Sequence, residues 1–239
     1  MTKHDSTIII GVDEAGRGCV FGPMAVAATA RLTRWHNNRV KDSKKVSPKR
    51  RNLLYTVIQD NTLWSVAMID ALTIEQYGLQ AVLKTAGDMV AQNVVDQVLA
   101  LRPQANIQVI FDGSDRQDEI RNVNGVTIEI LSIPRADNTV FECSAASILA
   151  KVTRDNWVKN YVRQYPDMKK YHLLSNMGYG TQKHREAIME HGVTEHHRKA
   201  FCKSLLSNWA KKQQDEQRRI LNEHAYAPSI KPQPTQRIK

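Results

Sequence analysis

The amino-acid sequence predicts an α/β protein: a five-stranded mixed sheet flanked by helices, with a helical C-terminal extension. Three observations carry that expectation. Short β-branched apolar runs are interleaved with longer helical patterns as far as about residue 165. All five strand-like runs precede the last long helical segments. At 239 residues, with 41% hydrophobic and 24% charged side chains, the chain has the size and balance of one substantial globular domain with an appendage.

Thr7 to Val12 is almost continuously apolar, as expected of a central strand buried on both faces. Gly22-Pro23 punctuates the chain before a second strand, Met24 to Ala30. Ser47 followed by Pro48 reads as an N-cap and first helical position, opening a helix through Leu53, Leu54 and Ile58. Leu63 to Ile69 suits a third strand. Thr73 with Gln76 three residues on resembles a capping box. The helix it starts runs towards Leu101 and buries Leu79, Val82, Leu83, Met89 and Val90, while Gly78 and Gly87 weaken it and permit a break. Ile107 to Phe111 and Val126 to Ile133 complete the five strands, and an Ala-rich helix follows from Phe141 to Arg163. Residues 1–165 are therefore expected to form the main domain and 166–210 the helical extension. Residues 211–239, polar, basic and carrying Pro228, Pro232 and Pro234, are expected to be a mobile tail.

A formal net charge of +10 favours a polyanionic partner, either nucleic acid or an anionic membrane surface. No apolar run approaches the roughly 20 residues of a spanning helix. Met1-Thr2-Lys3-His4-Asp5 leads straight into the first strand with no secretory signature. Cys19, Cys143 and Cys202 are scattered without a C-x-x-C pair, so they read as small apolar fillers in a chain of the reducing cytoplasm.

Four acids fall at the ends of expected elements. Asp13 and Glu14 follow the first strand, Asp112 follows Val109-Ile110-Phe111, and Asp137 precedes the stretch Cys143-Ser144-Ala145-Ala146-Ser147. If the first and fourth strands are neighbours, Asp13 and Asp112 emerge at one sheet edge, where open α/β sheets place their sites. Two carboxylates about 4 Å apart repel by roughly 4 kcal/mol at an effective dielectric near 20. A shared divalent cation removes that penalty, and an all-oxygen ligand set selects Mg2+ or Mn2+ over zinc. Taken singly, Asp112-Gly113 or Asp137-Asn138 is a turn more often than a ligand. The turn Gly16-Arg17-Gly18 adds close backbone approach and a guanidinium fork shaped for phosphate. Acids for a metal beside donors for a phosphate backbone point to a metal-dependent nuclease.

The run Gly11-Val12-Asp13-Glu14-Ala15-Gly16-Arg17-Gly18 with Gly22-Pro23 resembles the signature of the ribonuclease HII (type 2 ribonuclease H) family. Further matches follow in the family's order: Asp42-Ser43-Lys44-Lys45, Phe111-Asp112-Gly113, Ala136-Asp137, and the block from Ser144 to Asp155. Gly178-Tyr179-Gly180-Thr181 and His197-Arg198-Lys199-Ala200-Phe201 complete the set, which spans roughly residues 8 to 202. The resemblance implies a ribonuclease H-like fold and cleavage of RNA in RNA/DNA hybrids and at single ribonucleotides in duplex DNA, leaving 5′-phosphate and 3′-hydroxyl ends. It implies Asp13, Glu14, Asp112 and Asp137 as catalytic metal ligands. Gly16, Arg17 and Gly18 then read the ribose and its phosphate at the RNA-to-DNA junction, Tyr179 stacks on the following deoxynucleotide sugar, and Ser43 and Lys44 meet phosphates. A monomer is the expected state.

The chain also departs from the pattern. Thr139 stands where many members have Lys, Val46 replaces a more usual Leu, and the charged loop Ser114 to Gly125 is longer than in many relatives. Lys151 and Asp155, spaced i, i+4, are expected to pair on a helix. His184, His191, His196 and His197 are not expected to hold zinc; His184 and Arg185 are placed near the nucleic-acid face. Trp35, Trp64, Trp157 and Trp209 read as packing or partly exposed residues. Ribonuclease HIII is the nearest rival; it usually shows Gly-Lys-Gly in the turn and a large N-terminal domain, against Gly-Arg-Gly and about seven leading residues here. A silent nucleic-acid binder is the rival of another class, disfavoured because phosphate binding gains nothing from four acids.

Overall fold

The computed structural model describes residues 7–225 apart from Asp42, Asp115 and Asn124, with the side chains of Val123 and of part of the last helix also left aside. Asp42 of the Asp-Ser-Lys-Lys match, the side chain of Trp209 and the tail beyond Ala225 thus lie outside the described residues. The strands are β1 (Ile8–Ala15), β2 (Met24–Ala30), β3 (Leu63–Ile69), β4 (Ile107–Asp112), β5 (Glu119–Val123) and β6 (Val126–Ile133). The helices are α1 (Pro48–Asn61), α2 (Ala71–Tyr77), α3 (Leu79–Leu101), α4 (Phe141–Gln164), α5 (Leu173–Asn176), α6 (Gln182–His191) and α7 (Lys199–Ala225). Two compact units divide at Cys202/Lys203.

The sheet has six strands in the order β3-β2-β1-β4-β6-β5, one more than the sequence led us to expect. The added strand, β5, lies within the loop Ser114 to Gly125 and pairs antiparallel with β6 across a two-residue turn, Val123 opposite Val126. Gly125 there has φ 83°, and the sequence pair Asn124-Gly125 is the strongest short hairpin signal in the chain. The charged side chains of Glu119 and Arg121 masked it, because an exposed edge strand needs no apolar alternation. β1, β4 and β6 are parallel, while β2 runs antiparallel to both β1 and β3.

Period-two alternation sends β1 to two different cores. Ile8, Ile10 and Val12 pack with Val82, Val90 and Val94 of α3. Gly11 and Ala15 face α4, where a Cβ on Gly11 would collide with the backbone of Glu142 and Cys143. The small residues Ala145, Ala146 and Ala150 let α4 lie close against the sheet, so the block read as a family match is also a packing requirement. The helix from residue 73 does break at Gly78 (φ 80°). Its cap is Asp70, which accepts the Thr73 amide at 2.7 Å, so Thr73 is the third helical residue and not the cap. α7 continues through the polar segment as far as Ala225. No described helix is long and apolar enough to cross a membrane.

Candidate active site

Parallel pairing of β1 and β4 sets Val12 opposite Phe111, which brings Asp13 and Asp112 to the same end of adjacent strands. β6, also parallel, ends at Ile133, and the chain turns through Arg135 in the left-handed region (φ 60°) into a short 3-10 turn, 136–138. Asp137 is delivered there. Asp13, Asp112 and Asp137 each bring a carboxylate oxygen within 4.8 Å of the others. Asp13 and Asp137 are buried.

Each acid is held by named donors. Asp13 accepts the Glu14 amide at 2.7 Å, Asp112 accepts the Ala136 amide at 2.7 Å, and Asp137 accepts Nδ2 of Asn138 at 2.8 Å. The second bond ties the end of β4 to the turn carrying Asp137. Ser144 Oγ donates to the Asp137 carbonyl at 2.7 Å, so the small polar residues of α4 fix the turn from behind. Burial and the neighbouring charges of Glu14 and Asp112 push the Asp13 carboxyl well above its ordinary value, against a smaller opposing contribution from the Ser147 hydroxyl. Three hard oxygen donors in so small a space, one of them resisting ionisation because of burial and like charge, fit a divalent cation of the Mg2+ or Mn2+ kind.

Glu14 falls outside that group of three. It follows Asp13 in the strand and therefore leans towards the α3 side, lining a cavity of about 290 Å³ with Gln80, Lys84 and Phe111. Its carboxylate lies 3.7 Å from the Arg17 guanidinium.

The turn Gly16-Arg17-Gly18 is held from below by arginines. Arg198, fully buried, donates to the carbonyls of Gly16 (2.8 Å), Arg17 (3.0 Å) and Gly22 (3.0 Å). Arg154, also fully buried, donates to Phe21 (3.0 Å), Pro23 (3.0 Å) and Met177 (2.6 Å). Gly16 has φ 88°, and a Cβ there would strike the Arg154 side chain, so both backbone and space demand glycine. Gly18 is exposed. These two arginines were present in the sequence matches without a role; only their carbonyl partners reveal one.

Tyr179 stands on the loop before α6, its ring partly exposed and flanked by the cations of Lys151 (5.4 Å) and Arg154 (5.8 Å). Ser43 is buried, its hydroxyl 3.0 Å from that of Ser147, whereas Lys44 is exposed. Lys45 bonds Asn138, linking that loop to the Asp137 turn. Lys151 and Asp155 form the expected pair at 2.8 Å. His184 is fully buried behind Tyr179, so it does not itself face outward. Trp157 stacks on Tyr161, Trp35 meets Phe141 edge-on, and the three cysteines are buried.

Comparison with known proteins bears on the same residues. Positions 10–204 match the family described as Ribonuclease HII. A ribonuclease HII of Rickettsia typhi is 35% identical over 199 residues, covering 83% of this chain and 93% of that protein. Among solved structures, ribonuclease H2 from Pyrococcus horikoshii aligns with a TM-score of 0.58 at 21% identity, over 86% of this chain and 100% of that one. Bst-RNase HIII in complex with Mn2+ aligns with a TM-score of 0.58 at 22% identity, over 86% and 71%. The two structural likenesses establish a ribonuclease H-like fold.

Proposed function

This chain belongs to the ribonuclease HII family and is a type 2 ribonuclease H, a metal-dependent endoribonuclease, and we propose that it cuts RNA in RNA/DNA hybrids and at single ribonucleotides embedded in duplex DNA. The products carry 5′-phosphate and 3′-hydroxyl ends, and the reaction serves removal of ribonucleotides from DNA. One observation carries the reading: a buried acid cluster at the end of β1 and β4 stands one turn from a backbone loop whose carbonyls are pinned by a buried arginine. Chemistry and recognition are thereby held on one strand.

Asp13, Asp112 and Asp137, with Glu14 beside them, hold Mg2+ or Mn2+. A divalent cation bound there supplies positive charge to the scissile phosphate and lowers the pKa of an attacking water. Asn138 and the Ala136 amide orient their carboxylates, so that the acids meet the phosphate in a fixed arrangement. Gly16, Arg17 and Gly18 read the ribose: only the 2′-hydroxyl distinguishes RNA from DNA at one nucleotide, and close backbone groups can bond it. Arg17 meets the adjacent phosphate. Tyr179 stacks on the next sugar, which must lack a 2′-hydroxyl to fit. The Ser43–Lys44 loop meets a further phosphate through exposed Lys44.

The test is a duplex containing one ribonucleotide, incubated with and without Mg2+ or Mn2+. Metal-dependent cutting on the 5′ side of that ribonucleotide is the expected result. Efficient cutting only within long RNA tracts would instead favour a ribonuclease HIII-like activity, and binding without cutting a silent binder.

A further inference from the structure

Behind Tyr179 lie two histidines that the acid chemistry does not use. His184 Nε2 is 3.2 Å from His197 Nε2, and both side chains are buried. Each outer nitrogen has one main-chain partner of fixed polarity. His184 Nδ1 lies 2.9 Å from the Tyr179 carbonyl, which can only accept, so that nitrogen must carry a proton. His197 Nδ1 lies 2.9 Å from both the Thr194 amide and the Thr194 hydroxyl; the hydroxyl can turn to donate or accept, but the amide can only donate, so that nitrogen must be bare.

A neutral imidazole has one N–H. The two outer contacts therefore assign the inner one from both ends: His197 Nε2–H donates to a bare His184 Nε2. The assignments agree, and hydrogen bonds run in one direction from the Thr194 amide through both rings to the Tyr179 carbonyl. A second proton on either ring would oppose N–H to N–H, so both rings must stay neutral. Phe21 and Tyr171, each with its ring centroid 4.9 Å from that of His197, close the pair off from water.

We propose that His197 and His184 form a one-way hydrogen-bond relay that fixes the main chain of Tyr179, making both histidines positioning residues for reading the RNA–DNA junction. The proposal rests on the junction-reading role of Tyr179 given above. The Tyr179 carbonyl also accepts the Thr181 amide at 2.8 Å, so both of its lone pairs are engaged. Arg185, next on α6, donates to the Gly180 carbonyl at 3.1 Å. Successive α6 residues thus grip successive carbonyls of the loop, while the tyrosine ring projects forward and partly exposed. A stacking side chain discriminates between sugars only if its own position is determined, because a ring free to shift accommodates a 2′-hydroxyl.

The first test uses the unaltered protein: long-range 1H–15N correlation of the imidazole nitrogens near neutral pH. We expect His184 protonated on Nδ1 and His197 on Nε2; a proton on His184 Nε2 overturns the relay. The second compares His184→Phe with His184→Asn, whose amide can place a donor near the lost Nδ1. Relative to the long hybrid, cleavage of the single-ribonucleotide duplex should fall by about fivefold in His184→Phe, the worth of one hydrogen bond, and recover in His184→Asn. Equal effects of the two variants overturn the relay. Tyr179→Ala separates the two ideas. Selectivity lost there but retained in His184→Phe refutes the relay alone, while equal losses on both substrates in Tyr179→Ala refute the tyrosine's role and the relay with it.

Discussion

The two halves of the site treat buried charge in opposite ways. Asp13, Asp112 and Asp137 crowd like charges together, and burial, with the neighbouring Glu14 and Asp112, makes Asp13 resist ionisation. A few residues away, Arg154 and Arg198 are more deeply buried, yet each donates to three main-chain carbonyls. The arginines are satisfied by the fold itself. The acids instead face like charge at close range. Like charge is thus concentrated at the acids, while the buried arginines beside them have their partners in the main chain.

Substitutions on the two sides should therefore separate stability from activity. The largest effect is expected at the arginines. Arg154→Met or Arg198→Met strands buried carbonyls and should cost about 3–5 kcal/mol, read as a lower urea midpoint; unchanged midpoints would mean these contacts contribute little. Asp13→Asn removes like-charge repulsion, so the metal-free protein should melt no lower than the parent while cleavage falls by more than about 100-fold. Lower stability together with lost activity would break the contrast. Asn138→Ala leaves all the acids in place but removes the Asn138 bond to Asp137, and should raise the metal concentration for half-maximal activity by about 10-fold.

The histidine pair supplies a pH arm. Burial, then the neighbouring His184 and His196, depresses His197 to about 3, and burial depresses His184, with His172 acting against its charge. The unfolded chain, with ordinary histidines near 6.5, binds more protons than the folded one below that value. Stability from this pair is present above about pH 6.5 and is lost as pH falls towards 3; a melting temperature flat from pH 7 to 5 in an otherwise unaltered protein would contradict it. The smallest expected effect is at Arg17. Arg17→Ala should reduce the slope of log affinity against log salt by about 0.9, one phosphate's worth, leaving the fold intact.

Several of these features were legible in the residues themselves. Met24–Ala30, Leu63–Ile69 and Val126–Ile133 appear as strands at the bounds their apolar runs indicated, and α4 begins at Phe141 as expected. Local chemistry was enough there, because β2 is buried along its whole length and β6 alternates buried with more exposed positions. β5 escaped for the converse reason: an edge strand with charged side chains looks like a loop until its partner is known. Thr73 was mistaken for a cap because capping residues recur near any helix start, and only the backbone shows that Asp70 accepts the bond. Asp13 and Asp112 could be picked out by their place at strand ends, and Asp137 by its place before the Ala-rich helix. Glu14 could be picked out beside Asp13, but its lean towards α3 follows from strand alternation against two distinct cores.

By itself the chain order determined the pattern of strands and helices, the glycine at position 16 and the supply of acids at strand ends, since each depends on a residue and its near neighbours. Convergence of residues 13, 112 and 137, the carbonyls chosen by Arg154 and Arg198, and the proton order of His184 and His197 were decided only in the tertiary structure. Those properties depend on distance and direction between atoms far apart along the chain, and the packing of strands, helices and loops sets both.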